Sequence, residues 1–138
     1  ERLNAAILLS ADIGYGWVPA EELDAIGLSS ALKLATMRAL EAVTPRDGEE
    51  IIIDGSVNFA PQYAHVTVAV KADDTYPCVS AASIAAKVAR DGYMLDLDRK
   101  FPEYSFGSNV GYGTRAHAEA ISAYGLCLEH RKSFRLPL

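Results

Sequence analysis

Residues 51–55, Ile-Ile-Ile-Asp-Gly, restrict the fold more than any other part of this chain. Three consecutive β-branched residues between two turn signals predict a short buried strand, since such residues favour extended backbone. The Asp-Gly pair at 47–48 indicates the turn before this strand, and Asp54 places a carboxylate where it ends. Valines alternate with other residues over 66–70, which predicts a second strand.

Helical patterns precede and follow these strands. A run over 20–26 follows a proline, and apolar residues at helical spacing over 29–43 predict a helix that Pro45 ends. The longest helix is predicted to start between Pro77 and Ser80 and to end near Lys100, before a Phe-Pro pair. A helix over 115–124 is then predicted, with Thr114 as its N-cap and a glycine at its end. Residues 5–18 contain two glycines and fit an extended, strand-like stretch better than a helix.

The composition is that of a globular domain. Half of the 138 residues are hydrophobic and 22% are charged, which excludes a disordered chain, a collagen-like repeat and a disulfide-rich miniature. We expect a single domain over residues 1–138. No apolar run approaches the length of a membrane span, and no signal peptide is recognisable. Cys78 and Cys127 lack histidines at zinc-finger spacing, so we expect reduced thiols and a cytoplasmic protein.

Charge is distributed unevenly along the chain. The net charge is −5, which by itself argues against a protein that binds nucleic acid. Residues 1–50 nevertheless carry 4 basic and 9 acidic side chains, whereas residues 110–138 carry a net excess of two positive charges. The late basic excess is either a surface for an anionic partner or an ordinary solvated face.

Asp54 and Asp73 each follow a predicted strand. If the two strands are neighbours in one sheet, their ends bring two carboxylates to the same edge, where such oxygen ligands bind Mg²⁺ or Mn²⁺. The alternative is that each aspartate only caps a turn at the end of its strand.

Asp91 occupies the third position of an apolar series at 84, 88, 91 and 95 on the long helix. This spacing places its carboxylate on the apolar face, where it needs a partner or a metal ion. The alternative is a structural hydrogen bond to a loop backbone. Lys87 and Arg90 lie on another flank, either as phosphate contacts or as solvated cations.

Tyr112 lies between two glycines in the predicted loop over residues 107–113. Flanking glycines leave an aromatic ring open to a ligand, so this tyrosine could stack on a nucleotide and donate a hydrogen bond from its hydroxyl. The alternative is a loop tyrosine that simply packs. Residues 130–134 form a basic cluster that includes Arg131 and ends in phenylalanine, a pattern that also occurs by chance.

The order and the amino-acid sequences of these segments resemble type 2 ribonuclease H, that is, bacterial ribonuclease HII and its archaeal relatives. The resemblance is specific from residue 51 onward, and the segment over 16–43 is similar to the family's region before the central helix. The matching segments read IIIDG, KADDTYPCVSAASIAAKVARDGYM, FPEYSFGSNVGYGT and HRKSF.

The resemblance implies an α/β, ribonuclease H-like fold, in which helices flank a mixed sheet and the C-terminal part is helical. It also implies an endonuclease that cleaves the RNA strand of RNA–DNA hybrids and cuts 5′ of ribonucleotides embedded in duplex DNA. The implied mechanism uses two metal ions, Mg²⁺ or Mn²⁺, held by carboxylates. The partner would therefore be a hybrid duplex or ribonucleotide-containing DNA, with no membrane involved.

The resemblance also implies roles for individual residues. Asp54 and Asp73 match the family's third and fourth catalytic acids and would be metal ligands, and Asp91 resembles a supporting catalytic acid. Tyr112 matches the tyrosine that stacks on the ribonucleotide and senses its 2′-hydroxyl. Weaker candidates for contacting phosphates or bracing the carboxylates are Lys71, Ser80, Lys87 and Arg131.

One family feature is absent from this sequence. Family members begin with a strand bearing an Asp-Glu pair followed by a Gly-Arg-Gly turn, and neither motif occurs here. The first strands of the sheet are then missing, which would leave residues 51–70 with an edge open to association. Because the chain starts at Glu1 without methionine, we expect an upstream segment or an isolated part rather than a degenerate paralogue. The chain alone should bind metal weakly and hydrolyse little.

Three functions are therefore open. The first is a metal-dependent ribonuclease represented by its central and C-terminal portion. The second is a catalytically silent module that binds nucleic acid or serves as a scaffold and has lost the first acidic pair. The third is a nucleotidyl-transfer enzyme that shares the sheet but not the substrate.

Overall fold

The computed structural model describes residues 2–134. Within them, six α-helices and two β-strands are formed. In chain order they are α1 (Arg2–Ser10), α2 (Ala20–Ile26), α3 (Leu28–Val43), β1 (Ile51–Asp54), β2 (Val66–Ala69), α4 (Pro77–Lys100), α5 (Phe106–Asn109) and α6 (Arg115–Tyr124). Single 3₁₀ turns at Ala72–Asp74 and Pro102–Tyr104 lie on either side of α4. Across these described residues, no helix is both long enough and apolar enough to cross a membrane.

The two strands pair in parallel, with Ile51 opposite Val66 and Asp54 opposite Ala69. Parallel strands present their C-terminal ends at the same edge of the sheet, and here that edge leads into the Ala72–Asp74 turn. The combination of a parallel pair with helices confirms the predicted α/β class. The isoleucines of β1 are only half-buried, however, because each strand has a single neighbour in the described part of the chain.

The prediction of an extended stretch over residues 5–18 is wrong for its first half, which forms α1. The residues of α1 are mostly alanine and leucine, which favour helix. Gly14 and Gly16 follow α1, and they allow the backbone of this segment to pack closely on α3 instead of pairing as a strand. A Cβ atom on Gly14 would lie 2.4 Å from the carbonyl oxygen of Ala39, and one on Gly16 would lie 1.8 Å from that of Ala35.

The ends of the other helices follow their sequence signals closely. Helix α3 begins one residue before the predicted start, after Gly27 at φ +79°. Thr114 caps α6 as predicted, since its Oγ1 accepts a hydrogen bond from the backbone N–H of His117 at 3.2 Å. Gly125 ends α6 with φ +78°. The predicted loop over residues 107–113 is partly helical, because it contains most of the single-turn helix α5.

The main hydrophobic core lies in the C-terminal half. It combines side chains of α4 with those of α5, α6 and the Pro102–Tyr104 turn. Its buried members are Met94, Leu97, Tyr104, Phe106 and Ile121. Tyr104 satisfies its hydroxyl by donating a hydrogen bond to the carbonyl oxygen of Gly125 at 3.0 Å. This core fixes the C-terminal part of α4 against the loop that contains Tyr112.

Two leucines on α4 provide a matched test of this core. Leu97 is 3% exposed and Leu95 is 51% exposed. We expect Leu97→Ala to lower the free energy of unfolding by about 2–5 kcal/mol, because the variant loses buried apolar surface and leaves a cavity. Leu95→Ala should change it by less than about 1 kcal/mol. Urea unfolding measures both values, and equal losses would contradict the assignment of the core.

Candidate active site

Asp54 ends β1 at the sheet edge, and a main-chain contact connects its carboxylate to the turn that follows β2. Its Oδ1 accepts a hydrogen bond from the backbone N–H of Ala72 at 2.9 Å. Ala72 is 1% exposed and directly precedes Asp73. The Asp54 carboxylate therefore contacts the residue that directly precedes Asp73 in the sequence. The side chains of both aspartates are exposed to solvent.

The turn that carries Asp73 is held from the other side by α4. Ser80, in the first turns of that helix, donates a hydrogen bond from Oγ to the main-chain carbonyl of Asp73 at 2.6 Å. Lys71 enters the turn in a left-handed conformation, with φ +57°, and its side chain is exposed. Four of the predicted site residues, Asp54, Lys71, Asp73 and Ser80, thus belong to one neighbourhood, which we call the acidic rim.

The acidic rim fits part of a divalent metal site. Asp54 uses Oδ1 to accept from Ala72, so Oδ2 remains for another ligand, and Asp73 presents a second exposed carboxylate. Mg²⁺ is commonly bound through one or two carboxylates while it keeps several waters. Among residues 2–134, however, no group of three or more acidic, histidine or cysteine side chains is arranged to hold an ion. The described residues therefore offer the Asp54 and Asp73 carboxylates as donors and do not form a complete protein cage.

Asp91 does not lie on the buried face of α4, so that part of the sequence prediction is wrong. Its side chain is 41% exposed and forms an i,i+4 ion pair with Lys87. Leu95 of the same series is also exposed, whereas Met94 and Leu97 face the core. Asp91 follows Ser80 by about 16 Å along the helix axis. The carboxylate has a partner as expected, but that partner is a lysine on its own helix.

Tyr112 is 66% exposed on the loop between α5 and α6. Arg90 reaches this loop from α4 and donates a hydrogen bond from Nη2 to the carbonyl of Val110 at 2.6 Å. The guanidinium carbon of Arg90 also lies 5.8 Å from the centre of the Tyr112 ring. Arg90 is half-buried and hydrogen-bonded to this loop, so it is not an ordinary solvated cation, and its role as a phosphate contact stays a prediction.

Arg131 belongs to a C-terminal segment that α2 holds in place. The Asp24 carboxylate accepts hydrogen bonds from the backbone N–H groups of Lys132, at 2.7 Å, and Ser133, at 3.0 Å. The bonds from Ser133 hold the pKa of Asp24 below its ordinary value. The Arg131 guanidinium lies 4.3 Å from the ring centre of Phe134 and remains exposed.

A cavity of about 680 Å³ separates the Tyr112 loop from this C-terminal segment. Arg90 and Arg131 both line it, so two cations face the same space. Tyr93 forms part of the wall and donates a hydrogen bond to Glu129 at 2.7 Å. Burial, with a smaller contribution from Glu129, raises the pKa of Tyr93 to about 12.

Two buried histidines join α6 to the C-terminal segment, and the sequence analysis assigned them no role. The rings of His117 and His130 stack with centres 5.2 Å apart, and their Nε2 atoms are 3.3 Å apart. The backbone N–H of Cys127 donates to Nδ1 of His130 at 3.0 Å, so a neutral His130 carries its proton on Nε2 and can donate to His117. Nδ1 of His117 then donates to the carbonyl of Tyr104 at 3.3 Å.

This chain of hydrogen bonds requires the ring of His130 to be neutral. A second proton on His130 would go to Nδ1 and would place this N–H group against the backbone N–H group of Cys127. Burial, together with the neighbouring His117, lowers the pKa of His130, although Cys127 and Glu129 act in the opposite direction. The geometry and the pKa shift therefore agree on a neutral His130.

Comparison with known proteins gives a consistent result. The family model described as Ribonuclease HII matches residues 2–136. A Ribonuclease HII of Shewanella loihica is 41% identical over 98% of this chain and 66% of its own length. A second, of Polynucleobacter asymbioticus, is 43% identical over 88% of this chain and 63% of its own length. A third, of Sulfurovum sp., is 40% identical over 99% of this chain and 70% of its own length. The chain spans about two thirds of the length of these curated relatives.

The neutral His130 ring predicts a pH dependence of stability. The pKa of His130 lies below 6.5 in the folded chain, so the unfolded chain takes up this proton first. The stabilisation is complete above pH 6.5 and is lost as the pH falls below it, with a slope of at most about 1.4 kcal/mol per pH unit for one proton. We expect the melting temperature of His130→Gln to vary less than that of the wild type between pH 7.5 and 5.5.

His65→Gln is the matched control, because His65 is exposed and lies far from this pair in the sequence. Its melting profile should keep the wild-type dependence on pH. A His130→Gln profile as steep as the wild-type profile would show that the histidine pair does not carry this effect.

Proposed function

The chain belongs to the ribonuclease HII family, and we propose that it forms the central and C-terminal part of a divalent-metal-dependent endoribonuclease. The observation that carries this proposal is the acidic rim. The Asp54 carboxylate accepts a hydrogen bond from the backbone N–H of Ala72, directly before Asp73, which supports a shared site for the two aspartates that match the family motifs. Because the chain spans about two thirds of its relatives, the activity is proposed for the protein that contains it.

The proposed substrates are RNA–DNA hybrids and DNA duplexes that contain ribonucleotides, cut on the 5′ side of the ribonucleotide. Asp54 and Asp73 would hold Mg²⁺ or Mn²⁺. When bound, such ions supply the positive charge that activates water and stabilises charge at the scissile phosphate. The contact from Ala72 orients the Asp54 carboxylate, and Ser80 fixes the main chain at Asp73.

Exposed cations would contact the phosphate backbone on either side of the acidic rim. Lys71 lies in the rim itself, and Arg131 lines the cavity beside the Tyr112 loop. Lys87 would also contact a phosphate, and its ion pair with Asp91 would hold the ammonium group in position on the surface of α4. In this proposal Asp91 supports the reaction through Lys87.

Tyr112 would provide the selectivity for a ribonucleotide. Its exposed ring can stack on a base or sugar, and its hydroxyl can hydrogen-bond to the 2′-hydroxyl that distinguishes RNA from DNA. Selectivity would therefore come from the loop after α5, whereas hydrolysis would come from the acidic rim.

A catalytically silent nucleic-acid-binding module is the second candidate, because the described residues provide a carboxylate pair and no third metal ligand. Cleavage assays separate these functions. The chain alone, and the chain extended by the coding sequence upstream of it, are incubated with Mg²⁺ and three duplexes: a hybrid, a DNA with one ribonucleotide, and an all-DNA control. The enzyme predicts that the extended protein cuts the first two duplexes only. Binding without any cleavage would support the module, and cleavage of all-DNA would support a different nucleotidyl-transfer enzyme.

Replacing one acid of the rim should separate catalysis from folding. We expect Asp54→Asn to reduce Mg²⁺-dependent cleavage by the extended protein by about 100-fold or more, because an amide is a poor ligand for a hard cation. The melting temperature should stay within about 4 °C of wild type, since the amide oxygen can still accept from Ala72. Asp47→Asn, in an exposed turn, is the control. Full activity of Asp54→Asn would remove this residue from the site.

Replacing Tyr112 should alter selectivity more than affinity. A hydrogen bond to the 2′-hydroxyl contributes about 0.5–1.5 kcal/mol, so Tyr112→Ala should lower the preference for a ribonucleotide-containing duplex by about 2- to 10-fold. Fluorescence anisotropy with the ribonucleotide duplex and the all-DNA duplex measures this ratio. Tyr124→Ala removes an equally exposed tyrosine from α6 and should leave the ratio unchanged. Equal losses for both duplexes in Tyr112→Ala would make the tyrosine structural.

A further inference from the structure

The backbone before Tyr112 is strained and needs support. Val110 has φ +43°, a left-handed conformation that is unusual and unfavourable for a β-branched residue. Gly111 follows with φ +80°. Two successive residues with positive φ direct the chain sharply toward Tyr112, so the direction of that side chain depends on what holds this turn.

Arg90 holds the turn from the α4 side. It donates from Nη2 to the carbonyl of Val110 at 2.6 Å, and its guanidinium faces the Tyr112 ring at 5.8 Å. A Cβ atom added to Gly111 would lie 3.3 Å from the same Nη2 atom. One side chain therefore touches the strained carbonyl, passes against the glycine and faces the aromatic ring.

Asn109 holds the turn from the core side. This residue is 6% exposed, and its Oδ1 accepts a hydrogen bond from the backbone N–H of Gly111 at 2.8 Å. Its Nδ2 donates to the carbonyl of Tyr104 at 2.7 Å. The backbone N–H of Tyr112 donates to the carbonyl of Asn109 at 2.8 Å. Arg90 thus provides the contact from outside this local network.

We propose that Arg90 is a positioning residue for Tyr112: its hydrogen bond to Val110 and its contact with the ring hold the tyrosine in the direction that selects a ribonucleotide. This inference rests on the proposed function. A guanidinium is suited to the task, because its donors are fixed in one plane and its face can lie against an aromatic ring at the same time. The arginine would act through Tyr112 without touching the substrate.

The first test measures the loop without any nucleic acid. The N–H groups of Gly111 and Tyr112 are both hydrogen-bonded, so their exchange with deuterium reports on the turn. In Arg90→Gln we expect exchange over residues 110–113 to be about 10-fold faster or more, with exchange in the rest of α4 unchanged. The control is Arg99→Gln, an exposed arginine on the same helix. Unchanged exchange in Arg90→Gln would overturn the proposal.

The second test measures selectivity. We expect Arg90→Gln to lower the ratio of affinities for ribonucleotide-containing and all-DNA duplexes. We also expect the double variant Arg90→Gln/Tyr112→Ala to have the same ratio as Tyr112→Ala alone, since Arg90 acts through the tyrosine. Equal weakening for both duplexes would instead identify Arg90 as a phosphate contact and overturn the positioning role. If the wild type shows no preference at all, the proposed function fails, and the exchange measurement still decides whether Arg90 holds the loop.

Two glycine variants, Gly111→Ala and Gly48→Ala, test the proposal if Arg90→Gln does not fold. Gly111→Ala places a methyl group against Nη2 of Arg90 at a residue with φ +80°, whereas Gly48→Ala imposes similar backbone strain at φ +86° with no atom within 4 Å. Both variants should lose similar stability, but only Gly111→Ala should accelerate exchange over 110–113 and reduce selectivity. Loss of selectivity in both, or in neither, would contradict the proposal.

Discussion

The packing of α4 against the rest of the chain is the constraint on which the arrangement of the candidate site depends. Ser80 near its start binds the turn that carries Asp73, Arg90 in its middle binds the Tyr112 loop, and Leu97 near its end lies in the core. A continuous helix is stiff, with a rise of about 1.5 Å per residue. The distance between the acidic rim and the Tyr112 loop is therefore set by the number of α4 residues between Ser80 and Arg90, whose side chains make the two hydrogen bonds.

The sequence predicts the elements whose signals are local. The isoleucine run, the alternating valines, the proline that ends α3 and the threonine that caps α6 all act within a few residues, and the structure places these elements as expected. Helix α1 was missed because the glycines after it suggested an extended chain. Those glycines instead allow close contact with α3, which lies about twenty residues further along the chain.

The same distinction separates the site residues that could be found from those that could not. Asp54 and Asp73 follow strands, so the parallel pairing of those strands brings them to one edge. Asp91 was misplaced because regular spacing identified a stripe that is not the buried face of α4. Arg90 and the two histidines acquire their roles from partners 13 to 20 residues away, and no periodic pattern marks such pairs. The sequence does contain a weak indication that His117 is buried, because His117 and Ile121 are four residues apart and share one face of α6.

The hydrogen bonds from Lys132 and Ser133 to Asp24 join residues that are 108 and 109 positions apart. Contacts of such long range close a very large loop, and the entropy cost of that closure is reduced by the shorter contacts within the loop. Asp24 therefore fixes the segment that carries Arg131 against α2, so the place of this cation beside the cavity depends on a helix near the other end of the described chain.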